Sequence, residues 1–126
     1  MTGTGMTLTV LVVDDVADNI HLLSEVLKPF YRVKAAKSGE KALAIANKAE
    51  KPDLILLDVM MPQMSGFETI ARLKDNPDTK DIPVIFVTAK HEKVDQEQGL
   101  QLGAVDYLTK PIDPENALAV IAEHIQ

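Results

Sequence analysis

The chain contains no cysteine. Disulfides, thiolate nucleophiles and cysteine-ligated zinc are therefore excluded. Its three histidines are scattered along the sequence, which disfavours a zinc centre. Apolar runs stop after a few residues, far short of the roughly 20 that span a bilayer. The opening MTGTGMTL carries neither a basic residue nor a long apolar stretch, so it does not read as a secretory signal. A basic cluster is also missing: 13 Lys and Arg face 19 Asp and Glu, a net charge of -6. Such a chain is a poor binder of nucleic acid by itself, and cations or basic partners suit it better. The expected location is cytoplasmic, with no membrane and no direct nucleic-acid contact. What remains is ordinary for a globular domain: 46% hydrophobic and 25% charged residues in 126 positions. That length is one domain with a core of its own.

Short apolar runs alternate with helical patterns along the chain. Thr7–Val13 (TLTVLVV) reads as a strand buried on both faces, halted by Asp14-Asp15. Ile20, Leu23, Val26, Leu27 and Phe30 then follow helical spacing, with Pro29 ending the pattern. Tyr31–Ala36 is a second strand with Tyr31, Val33 and Ala35 on one face, and Ser38 caps a helix striped by Ala42, Leu43 and Ala46. Leu54–Val59 is a third strand, again meeting an aspartate, Asp58. A loop punctuated by Pro62 and Gly66 leads to a Ser65/Glu68 capping box and a helix that stops at Asn76-Pro77. Pro83–Ala89 is the fourth strand, a helix follows from His91 to the stop at Gly103, and Val105–Thr109 is the fifth strand. Asp113-Pro114 opens a last helix with a stripe of Leu118, Ile121, Ala122 and Ile125. Five strands alternating with five helices predict an α/β fold with a doubly wound, open parallel sheet and helices on both faces.

In such a sheet ligands gather beyond the carboxyl ends of the strands. Asp14, Asp15, Asp58, Thr88 and the Thr109-Lys110 pair all fall there. Taken singly, each has a plain explanation: a helix cap, a loop aspartate, a β-former, a solvated lysine. Together, three carboxylates on one edge repel and raise one another's pKa, which a bound cation relieves. Hard oxygen donors suit Mg²⁺.

The order and spacing of these pieces resemble the receiver domain of two-component response regulators. The matching segments are LVVDD (11–15), LLDVMMPQMSG (56–66), FVTA (86–89) and GAVDYLTKP (103–111), and the likeness runs from about Thr7 to the C-terminus. The family implies a flavodoxin-like strand order 2-1-3-4-5. It implies that Asp58 accepts a phosphoryl group from a phosphohistidine. Asp15 would ligate Mg²⁺, or Mn²⁺ as a substitute, directly, Asp14 through water, and Met60 by its backbone carbonyl. Lys110 would pair with the phosphoryl oxygens, and Pro111 would follow a cis bond. Thr88 and Tyr107 would be the switch pair that remodels the surface of the fourth helix, fifth strand and fifth helix. Met60 and Lys90 occupy the positions that tune phosphoryl lifetime. Neither offers a group to orient water in the usual way, so the phosphorylated form is expected to be long-lived, and decay within seconds would contradict this.

The same resemblance implies a regulatory phosphoacceptor rather than an enzyme, assisting only its own phosphotransfer and slow dephosphorylation. Its partners would be a sensor histidine kinase or a histidine phosphotransfer domain, docking near Val16, Ala17, Asn19, Ile20 and Ile112, and an output domain or downstream protein. A phosphorylation-dependent homodimer is left open, although no arginine follows Arg72 to form the Arg–acid pairs of one familiar dimer. Residues 1–6 are expected to be a flexible leader and 7–126 the receiver. The final helix keeps its stripe to the end without a stop signal, so the domain is expected to come from a longer protein. The alternative reading is a receiver-like interaction module that works without phosphorylation. A phosphatase with an aspartate nucleophile needs Asp-x-Asp, which Asp58-Val59-Met60 lacks. A flavin carrier needs a phosphate-cradling loop where this chain has the acidic DDVADN.

Overall fold

A computed structural model describes residues 7–48, 50–89 and 93–125. Residues 1–6, expected as a leader, and Lys90 lie outside the described residues, as do the first two residues of the helix expected from His91. Five strands, β1 (Thr9–Val13), β2 (Arg32–Ala36), β3 (Leu54–Asp58), β4 (Val84–Thr88) and β5 (Asp106–Thr109), alternate with α1 (Ala17–Leu27), α2 (Gly39–Ala46), α3 (Gly66–Lys74), α4 (Lys93–Gln101) and α5 (Pro114–His124). All strand pairs are parallel, and the order is β2-β1-β3-β4-β5. Both features are as expected.

Alternation along each central strand divides the core into two layers. Leu11, Val13, Ile55, Leu57, Val84 and Phe86 face α2 and α3, meeting Ala42, Ala46, Ile70 and Leu73. Val10, Val12, Leu54, Leu56, Ile85 and Val87 face α1 and α5, meeting Leu23, Leu27, Ala117 and Ile121. Burying each of these larger side chains is worth about 1.5–3 kcal/mol, so the two layers together fix the register of the sheet. On the first layer Phe67 meets Phe86 edge to face at 5.5 Å. A Cβ at Gly99 would collide with the Phe86 ring, which places α4 on that layer too.

Helix ends follow local chemistry. Ser38 accepts from the Lys41 amide, Ser65 from that of Glu68, and Asp113 from that of Glu115 ahead of Pro114. Gly103, at φ +113°, turns the chain out of α4.

Some stripes sit differently from expectation. Helix α1 ends at Leu27, so Phe30 lies beyond it and is exposed. In β2, an edge strand, Ala36 is buried and Ala35 is exposed. Helix α5 turns Ala117 and Ile121 inward and leaves Ala122 exposed. Alanine tolerates either side of a helix, so its spacing is a weak guide to the buried face. The expected strand at Thr7 begins at Thr9, and the third strand ends at Asp58 rather than Val59.

Candidate functional site

The carboxyl ends of β1, β3 and β5 bring Asp14, Asp15, Asp58 and Lys110 together. Carboxylate oxygens of the three aspartates all lie within 4.8 Å of one another. Parity explains the placement. Asp14 continues the alternation of Val10 and Val12, and Asp58 that of Leu54 and Leu56, so both side chains emerge where the α1/α5 layer runs out. Asp14 is 2% exposed and Asp58 6%. The Asp14 amide donates to the Ala36 carbonyl at 3.1 Å, extending the β1–β2 ladder by one bond.

Asp14 also closes a tight turn ahead of α1, whose N-cap residue is Val16. Its Oδ1 accepts from the Val16 amide at 2.9 Å, and its Oδ2 accepts from Asn19 Nδ2 at 3.1 Å. Lys110 Nζ reaches Asp58 Oδ1 at 3.2 Å and Asp14 Oδ2 at 3.5 Å. The Lys110 amide donates to the Thr88 carbonyl at 2.8 Å, and the Lys110–Pro111 bond is cis.

One ammonium among three carboxylates leaves the cluster short of positive charge. Burial, reinforced by the Asp14 charge, pushes the Asp58 carboxyl up to about 6 against the pull of Lys110. Burial pulls the Lys110 ammonium down, but the Asp58 and Asp14 charges outweigh it and its pKa is raised. A divalent cation with a preference for oxygen relieves this imbalance. The donors are all oxygen, without cysteine or histidine, which fits Mg²⁺ or Mn²⁺ better than zinc. A cleft of about 500 Å³ opens onto the cluster, lined by Asp15, Val16, Asp58, Met60, Ala89 and Lys110. The Met60 side chain is 76% exposed at its rim.

The backbone behind Asp58 is held by the loop into α3. The Gly66 amide donates to the Val59 carbonyl at 2.8 Å. A Cβ at Gly66 would collide with the Asp58 carbonyl oxygen. In the same loop Gln63 takes a left-handed conformation, φ 69°.

Thr88 and Tyr107 are near the cluster without joining it. Thr88 is 1% exposed and its hydroxyl donates to the Leu108 carbonyl at 3.5 Å, across to β5. Phe86 pairs in register with Tyr107. Thr88, two residues on, therefore shares Tyr107's face of the sheet. Tyr107 is half-buried against the first core layer. Val16 and Ala17 are exposed at the start of α1, while Asn19, Ile20 and Ile112 are half-buried. Asn19 and Ile112 line a smaller hollow beside Asp14 and Lys110. Sequence reasoning missed two supporting roles: the grip of Asn19 on Asp14, and the absent side chain at Gly66. An Asn five residues after an Asp, or a Gly beside a helix cap, is too common to single out unaided.

Known proteins share this fold. Residues 10–122 match the family model described as the response regulator receiver domain. A probable cyclic di-GMP phosphodiesterase of Vibrio cholerae is 48% identical over 119 residues, 94% of this chain and 26% of that protein. Protein PilH of Pseudomonas aeruginosa is 40% identical over 113 residues, 89% of this chain and 93% of PilH. The chain thus spans about a quarter of the length of the first relative and nearly all of the second. Among solved structures, the receiver domain of a sensor histidine kinase from Pseudomonas aeruginosa, with a magnesium ion coordinated in its active-site cleft, superposes with a TM-score of 0.85 at 26% identity. The match covers 94% of this chain and 97% of that one. Sheet order, strand-end chemistry and these matches converge, and the chain belongs to the response regulator receiver family of two-component signalling.

Proposed function

We propose that Asp58 is the phosphoacceptor of a phosphorelay and that its modification resets the β4–β5 face. The observation that carries this is the Lys110 ammonium 3.2 Å from a buried Asp58 carboxylate beside two further aspartates. An Asp58 oxygen attacks the phosphorus of an N-phosphorylated imidazole. The new O–P bond forms as the P–N bond breaks, and its electron pair stays on the imidazole. Asp58 becomes an acyl phosphate, whose two negative charges replace the single charge of the carboxylate, and Lys110 then pairs with the phosphoryl oxygens. Asp15 directly, Asp14 through water, Asp58 and the Met60 carbonyl would hold Mg²⁺ or Mn²⁺. A bound divalent cation supplies neutralisation and orientation of the phosphoryl oxygens. The magnesium ion in the cleft of the related kinase receiver supports that assignment.

The switch follows from what Thr88 would exchange. Its long bond to the Leu108 carbonyl is a weak competitor for a dianionic phosphoryl oxygen. A Thr88 turned toward the phosphoryl group frees space on the face it shares with Tyr107, and Tyr107 moves inward. These contacts exist only with phosphate present, which is the differential free energy a population shift needs. The input partner is a histidine kinase or phosphotransfer domain, and the readout is an output domain or downstream protein.

Intact mass after incubation with acetyl phosphate and Mg²⁺ tests the assignment. One added phosphoryl group is expected, absent in Asp58→Asn and absent with chelator. No added group, even from a phosphohistidine donor, would overturn the phosphoacceptor and favour an interaction module independent of phosphorylation.

A further inference from the structure

A second group of metal-binding side chains lies at the opposite edge of the sheet. Asp106 opens β5, and Glu123 and His124 close α5. One ligand atom from each lies within 4.8 Å of the others. We propose that Asp106, Glu123 and His124 form a site for a borderline transition ion, with Zn²⁺ as the representative. The donor set differs from the aspartate cluster in containing an imidazole, which Mg²⁺ does not favour and Zn²⁺ does.

The distances fit. Ligands about 2.0–2.2 Å from a tetrahedral zinc ion stand roughly 3.3–3.5 Å apart. His124 Nε2 lies 3.1 Å from Asp106 Oδ2, already close to that separation. It lies 3.9 Å from Glu123 Oε2, and the Glu123 side chain, 70% exposed, can close the difference by a small rotation. Asp106 is held in place independently: its Oδ1 accepts from the Tyr107 amide at 2.8 Å, leaving Oδ2 to face the imidazole. None of the three side chains is buried, and Glu123 is exposed, so an ion reaches the group from solvent. Two carboxylates and a neutral imidazole carry a charge that a divalent ion cancels. A metal here would clamp the last turn of α5 onto the first residue of β5. The scattering of the histidines in sequence argued against zinc; folding brings one of them to two carboxylates.

The ordinary alternative is an ion pair without metal, and native mass spectrometry separates the two. Zn²⁺ is titrated into the whole chain in excess Mg²⁺, which keeps the aspartate cluster occupied. One retained zinc ion is expected, with affinity unchanged in Asp58→Asn and lowered about tenfold or more in His124→Ala and Asp106→Asn. No retained zinc, equal binding in His124→Ala, or loss in Asp58→Asn would overturn the site. The unaltered protein gives a second readout that needs no variant. On adding Zn²⁺ the His124 imidazole resonances are expected to shift while those of His21, exposed on α1, stay in place. A His124 signal that does not move would overturn the proposal.

Discussion

The two edges of the sheet use the same side chains to opposite ends. At the amino-terminal edge, charged and hydroxyl groups satisfy backbone. Asp53 accepts from the Thr9 amide at 2.7 Å, Lys74 donates to the Lys80 and Ile82 carbonyls at 2.9 and 3.0 Å, and buried Thr79 donates to the Leu73 carbonyl at 2.7 Å. The first ties the loop before β3 to the start of β1, and the others tie the loop between α3 and β4 back to α3. At the carboxyl-terminal edge Asp58 and Lys110 turn toward each other beside Asp14, which also holds the Val16 amide and Asn19, and the balance of charge is negative. Asp53, Lys74 and Thr79 at the first edge stabilise the fold. Those at the second are held in a costly arrangement that a ligand relieves, which is the pattern expected of a site.

Substitutions at the two edges should therefore differ in kind. The largest effect belongs to Lys110→Met. Loss of the cation proposed to meet the developing phosphoryl charge should slow incorporation from a small phosphodonor by about 10²–10³-fold, measured as the rate of mass increase. A rate within a few-fold of the unaltered chain would place the phosphoryl-binding charge elsewhere.

Next comes the stability cost of Asp58. Its carboxyl, pushed up to about 6 by burial and by Asp14, has a folded-state pKa above its ordinary 3.8. The folded state then holds the proton more tightly than the unfolded chain. The resulting stability is fully present below about pH 3.8 and is lost as pH rises through about 6. At about 1.4 kcal/mol per pKa unit, the metal-free protein should lose about 3 kcal/mol over that window. Asp58→Asn, which cannot ionise, should escape this loss. Denaturant midpoints at pH 4 and pH 8 check it: the variant should gain on the unaltered chain only at the higher pH, and Mg²⁺ should narrow the gap. A variant that is less stable at pH 8 would remove the premise that this edge is electrostatically crowded.

The smallest of the three has the reverse sign. Asp53→Ala leaves the Thr9 amide without its partner at the start of β1 and should destabilise the fold by about 1–3 kcal/mol. Phosphoryl incorporation should be nearly unchanged, because Asp58 and Lys110 sit at the far end of the strands. A variant as stable as the parent, or one slow to be phosphorylated, would blur the division between the edges.

Much of this was legible beforehand, for specific reasons. Leu54–Leu57 is apolar on both faces, and only a central parallel strand is buried that way, so the sheet and the aspartate at its end followed together. The rule that ligands collect at strand carboxyl ends then gathered Asp14, Asp15, Asp58 and Lys110 across nearly the whole chain. The strand order came from family likeness, since periodicity says which residues pair with a sheet but not in which sequence. Alanine-rich stretches misled, as in β2 and α5. The engagement of Thr88 with Leu108 and the meeting of Asp106 with His124 were invisible, because both depend on register and helix rotation and neither leaves a short-range pattern.

The missing side chain at Gly66 has a practical consequence for how such a site is mapped. A survey scoring every substitution by signalling output would rank position 66 alongside position 58, although Gly66 takes no part in chemistry. Any larger residue would press on the Asp58 carbonyl oxygen from behind and shift the proposed phosphoacceptor along its strand. The two positions would separate only under a second score. Asp58→Asn is expected to silence a chain that folds more firmly and Gly66→Val one that folds less well, so intolerance at 66 would mark the mould rather than the casting.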